Sequence, residues 1–73
     1  MTTLAQTAFA LHSNATCPAD HRKACDQLAY LDPAGMYACV PLASTIVYTF
    51  TDGSELHVDA ASYEPILICN DPL

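Results

Sequence analysis

No lysine or arginine follows Lys23 in this chain. Arg22 and Lys23, side by side, are its only permanent bases, against eight carboxylates and a net charge of −6. A nucleic-acid footprint needs several basic side chains set against phosphates. Direct nucleic-acid binding is therefore not expected. Glycine is almost missing too, with Gly35 and Gly53 the only two. That removes phosphate-cradling glycine loops and the G-x-S-x-G elbow, and no H-E-x-x-H stands in their place. No apolar run approaches the roughly 18 residues of a membrane span. The opening stretch Met1-Thr2-Thr3-Leu4-Ala5-Gln6 lacks the basic flank of a secretory signal. The expectations are a soluble, cytoplasmic protein, possession of no cofactor, and no enzymatic activity.

What is present is apolar. Of 73 residues, 52% are hydrophobic and only 14% are charged, the latter well below the roughly 25% of ordinary soluble domains. Disordered chains pair high charge with low hydrophobicity, so this chain should fold. Its length allows one small domain, with a helical half over 3–32 and a β half over 36–70. Such an apolar composition leaves some hydrophobic area outside, and patches of that kind mark interfaces. The four cysteines, Cys17, Cys25, Cys39 and Cys69, allow two disulfides in three pairings. In a reducing cytosol they should stay as thiols.

The first helix is expected over residues 4–12. Thr3 and Gln6 fit a capping box, and Leu4, Ala8 and Leu11 repeat at helical spacing, widened by Ala5 and Phe9. A second helix starts at Pro18, which suits the first helical position. Cys17 is then the N-cap, and Asp20 meets the positive end of the helix dipole. Ala24, Cys25, Leu28 and Leu31 form its buried stripe, and Asp32-Pro33-Ala34-Gly35 ends it.

Strands follow. Residues 36–40 make a short one, stopped by Pro41. Residues 45–50 and 54–59 flank Thr51-Asp52-Gly53. A two-residue loop would pair Phe50 with Glu55 and mix charge into the apolar face. A three-residue loop pairs Tyr48 with Leu56 and Ile46 with Val58, with glycine at the left-handed third position. The register that keeps one face apolar should win. Ile46, Tyr48, Phe50, Leu56 and Val58 then face the core, and Val47, Thr49, Glu55, His57 and Asp59 face out. The last strand, 66–69, is apolar throughout, which predicts burial on both faces or cover by a helix. The fold class is α+β: two short N-terminal helices packed on a three- to four-stranded antiparallel sheet.

Two constellations carry possible chemistry. Cys17-x3-His21-x3-Cys25 offers metal ligands, with Cys39, Cys69, His12 or His57 to complete a tetrahedral zinc site. Spacing of i, i+4, i+8 spans about 12 Å, so only two of the three can share one ion. The competing expectation is that Cys25, Cys39 and Cys69 are small core residues. Cys17, at a helix N-terminus, is expected to be a surface thiol of modestly raised reactivity. His57, between Glu55 and Asp59, is a candidate pH-sensitive contact.

The outward face with Glu55, His57 and Asp59 repeats charge about every 6.6 Å, and Asp52 sits at the hairpin tip. With Glu64 these are the candidate partner-binding residues, and Asp26, Asp32 and Asp71 extend the field. An acidic surface without lysine attracts basic proteins. The leading functional expectation is a non-enzymatic binder that docks on a basic, nucleic-acid-binding protein and inhibits or modulates it. Small inhibitors of host nucleic-acid machinery, such as phage-encoded anti-CRISPR or anti-restriction proteins, share this profile of size and charge. The alternatives are a zinc-stabilised Cys/His module and a homodimeric structural or assembly protein.

Overall fold

The computed structural model describes residues 2–69. Asp71 and Asn70, assigned above to the acidic field and the β half, lie outside these. The chain is α+β: α1 (Leu4–Ala10), α2 (Pro18–Asp26) and a one-turn continuation α3 (Leu28–Leu31) precede β1 (Met36–Val40), β2 (Thr45–Thr49), β3 (Glu55–Asp59) and β4 (Pro65–Cys69). The four strands form one antiparallel meander in the order β1-β2-β3-β4.

The capping box of α1 is present. Thr3 Oγ1 accepts from Gln6 N at 3.2 Å, and Thr3 N donates to Gln6 Oε1 at 2.9 Å. Cys17 is the N-cap of α2, but its side chain makes no capping bond. The second helix does not run unbroken to Asp32. Gln27 N is shared between the carbonyls of Lys23 and Ala24, both at 3.2 Å, and this tightened turn separates α2 from α3. No proline or glycine marks the place, so the sequence holds no signal for it.

The hairpin adopts the three-residue loop. Tyr48 pairs with Leu56 and Ile46 with Val58, and Phe50 N donates to Ser54 O across the loop at 2.9 Å. Gly53 has φ of 87°, a left-handed conformation in which a Cβ is strained.

Ala5 and Ala8 of α1 meet Leu56 and Val58 of β3 in the core, with all four fully buried. Cys25, Leu28, Ile46 and Phe50 belong to the same buried cluster. Small residues on α1 let that helix lie close on β3 and β4. Three expectations fail here. Phe9 is 45% exposed rather than part of the buried stripe, because alanines, not aromatics, make the contact. Ile66 and Leu67 are 58% and 52% exposed, because β4 is an edge strand with one helix beside it. Cys39 is exposed and Cys69 half-buried, leaving only Cys25 in the core. Among the described residues no helix is long and apolar enough to cross a membrane.

Candidate interaction surface and side-chain clusters

The two edges of the sheet differ. β4 begins at Pro65 and pairs with β3 through a register shift at His57 and Val58. Proline and bulges are the devices that blunt a strand edge. β1 has neither within its span and carries no charge. All five of its residues are exposed, with Met36 at 74% and Tyr37 at 72%. The register with β2 puts Tyr37 beside Tyr48 and Cys39 beside Ile46, on the same side as the core. Of the helices, α1 packs on β3 and β4, away from β1. A groove of about 500 Å³ is left between β1 and the α2–α3 segment, lined by Tyr37, Cys39 and Tyr48 and by Asp26, Asp32 and Arg22. The Tyr37 and Tyr48 rings lie 5.9 Å apart, and the Arg22 guanidinium sits 6.0 Å from the Tyr63 ring centroid.

The expected partner-binding carboxylates are largely engaged within the chain. Asp52 accepts from Leu4 N at 2.8 Å and from Ser54 N at 2.9 Å, and its other contact is the Ser54 hydroxyl. These bonds hold its carboxyl below the usual range, with the Leu4 amide the largest cause. Asp59 accepts from Ala61 N at 2.7 Å and Ser62 N at 3.1 Å, and those amides lower its pKa likewise. Asp32 takes both the amide and hydroxyl of Thr51, at 2.9 and 3.1 Å. Glu55 contacts His57 Nε2 at 3.3 Å. Glu64 lies exposed in the turn before β4. Asp52 and Asp59 are thus turn-stabilising anions rather than idle surface charges.

The metal ligands expected from α2 do not converge. Cys17 is exposed at the N-cap, a helical span away from Cys25. His21 instead meets His12, ring over ring at 5.1 Å, with the two Nδ1 atoms 2.9 Å apart. His12 Nε2 faces Cys25 Sγ at 3.9 Å. His12 is buried, and burial first, then the nearby His21, lowers its pKa. Burial likewise pushes the Cys25 thiol up, partly offset by its hydrogen bond with Tyr48. A proton between two Nδ1 atoms requires one neutral ring, so double protonation breaks the contact.

The sign of that pH effect follows from linkage. A histidine with a lowered folded pKa binds its proton more weakly folded than unfolded. Its stabilising contribution is complete above the unfolded value of about 6.5 and is lost as pH falls through it. The thermal midpoint should drop between about pH 7.5 and pH 5.5, and His12→Gln should flatten that dependence. A melting temperature independent of pH over this range in the wild type refutes it.

The one cluster of three metal-ligand types among the described residues is elsewhere. Glu55, His57 and Cys69 bring their donor atoms within 4.8 Å of one another on the outward face. Glu55 and His57 were legible as face-mates from strand alternation. Cys69 was not, because the unbroken apolar run of β4 gives no face signal and the shift at His57 and Val58 sets its register.

No protein-family model, curated protein or solved structure matches this chain.

Proposed function

We propose that the chain is a small, acidic, non-enzymatic binding protein that takes an extended, base-bearing segment of a partner protein onto the β1 edge. By occupying that segment it inhibits or modulates the partner, which on charge grounds is a nucleic-acid-binding protein of the kind anti-CRISPR and anti-restriction proteins target. The observation that carries this reading is the exposure of all five residues of β1, an uncharged edge strand lacking the usual protections. Strand addition supplies main-chain hydrogen bonds, and the adjoining groove receives alternate side chains. Asp26, and the charge of the Thr51-bonded Asp32, both in the lining of the groove, suit lysine or arginine in the incoming segment. The wider charge of −6, including Glu55, Asp59 and Glu64, steers a cationic partner at long range.

The test uses Tyr37→Lys, which puts a repelling charge on the edge. Tyr37 is 72% exposed, so the substitution should change stability by less than about 0.5 kcal/mol. Wild-type protein immobilised in a cell lysate should retain a basic protein at low salt that Tyr37→Lys does not retain. With that protein purified, affinity should fall steeply as salt rises, since charges beyond about 8 Å are screened at physiological ionic strength. Equal capture by both forms, or salt-independent affinity, overturns the reading. So does a wild-type dimer in sedimentation that Tyr37→Lys dissolves, which would assign the edge to a second copy.

A further inference from the structure

We propose that Glu55, His57 and Cys69 form a zinc-binding site on the outward face of the sheet, distinct from the β1 groove. The donors are a carboxylate, an imidazole and a thiol, the three side-chain types that bind Zn²⁺. They lie within 4.8 Å of one another. Bonds of about 2.0–2.3 Å place tetrahedral donors roughly 3.3–3.8 Å apart, so the three need close by only about 1 Å. Glu55 Oε1 and His57 Nε2 are already 3.3 Å apart.

Backbone pairing holds them there. Glu55 and Cys69 are direct partners across β3 and β4, where opposed Cβ atoms sit about 4.5–5.5 Å apart. His57 lies two residues along the same strand and therefore on the same face. The site is also electrostatically suited to a cation. No lysine or arginine follows Lys23, so nothing nearby on β3 or β4 competes as a permanent base for the Glu55 carboxylate. Cys69 is a free thiol, and all three residues are half-buried rather than fully solvated.

Binding would release the Cys69 thiol proton to solvent and form a Zn–thiolate bond. The fourth tetrahedral position is left to water or to a group from outside the chain, the arrangement of an open rather than a closed structural site. The His12–His21–Cys25 cluster is a poorer host. His12 is buried with both ring nitrogens engaged, one on His21 and one on Cys25.

Zinc titration by calorimetry, with Co²⁺ as a spectroscopic substitute, tests the proposal on the full chain. The expected result is one ion per chain and a thiolate-to-cobalt charge-transfer absorption. Cys69→Ser should abolish that absorption, and Cys69→Ser and His57→Gln should each weaken zinc by at least about 100-fold, the upper range for supporting residues. Glu55→Gln should weaken it without removing the absorption. His21→Asn should leave affinity unchanged. Circular dichroism confirms that each variant is folded, and Glu55→Gln, a change of nearly equal size at a half-buried side chain, is the safeguard if another fails. No zinc binding by the wild type, or binding lost in His21→Asn and kept in His57→Gln and Glu55→Gln, overturns the assignment.

Discussion

Leu56→Ala is expected to lower the free energy of unfolding by about 3–4 kcal/mol, within the range of buried leucine truncations. Leu56 is fully buried, and β3 is the strand against which α1 packs. Its neighbours cannot collapse to fill the space. The contact from above comes from Ala5 and Ala8, which have no rotamers with which to reach down. From below, β2 and β4 fix the backbone on both sides. A domain of this size has a total stability of roughly 4–11 kcal/mol. The substitution therefore takes a large share of it. Urea unfolding followed by circular dichroism reads the effect as a lower midpoint with an unchanged slope. A loss below about 1 kcal/mol would show that Leu56 is not at the centre of the core.

Ser54→Ala is expected to destabilise the fold by about 1–3 kcal/mol, although it removes a single oxygen. Ser54 is fully buried. Its Oγ accepts from Ala5 N at 3.0 Å and donates to Asp52 Oδ1 at 2.5 Å. Asp52 in turn accepts from Leu4 N. The first amides of a helix have no partner within it, and here the hairpin tip supplies partners for two of them while Thr3 supplies the third. Alanine at 54 leaves the Ala5 amide buried without an acceptor and loosens Asp52. The same network predicts an acid response. Asp52 and Asp59 have lowered folded pKa values, so their contribution is complete above the ordinary carboxylate value of about 4 and is lost as pH falls through the lower folded values. Thermal melts should show stability declining below about pH 4. In Ser54→Ala that decline should be shallower. Equal stability of Ser54→Ala and wild type at neutral pH would contradict the capping role.

How much of this was readable beforehand depends on whether a residue's role is local. The hairpin was readable to the residue: alternation from Ile46 to Val58 admits one register that keeps charge off the core face, and Gly53 agrees with it. The Thr3 and Gln6 capping box was readable for the same reason, since both partners lie within one turn. The break at Gln27 was not, because a shared hydrogen bond between carbonyls has no residue signature. Nor was the exposure of β4. Its apolar run predicts burial, whereas β4 ends the sheet with Ile66 and Leu67 in the open. The roles of Asp52 and Asp59 were hidden behind their charge. Each reads as a surface anion, and each is an acceptor for backbone amides that tertiary structure brings to it. The cluster at Glu55, His57 and Cys69 needed the β3–β4 register, which no local pattern encodes.

The capping of α1 by the hairpin tip has a consequence for the order of assembly. The acceptors of Leu4 N and Ala5 N lie 48 and 49 residues further along the chain. A seven-residue helix has little stability alone. During synthesis the segment that becomes α1 leaves the ribosome before the strands do, yet its first two amides find these acceptors only after residues 52–54 have emerged and closed their loop. The meander joins neighbouring strands only, so its contacts close short loops and can form early. An element made ahead of the sheet thus settles after it, and its alanine-lined underside stays uncovered in the nascent chain until the hairpin reaches it.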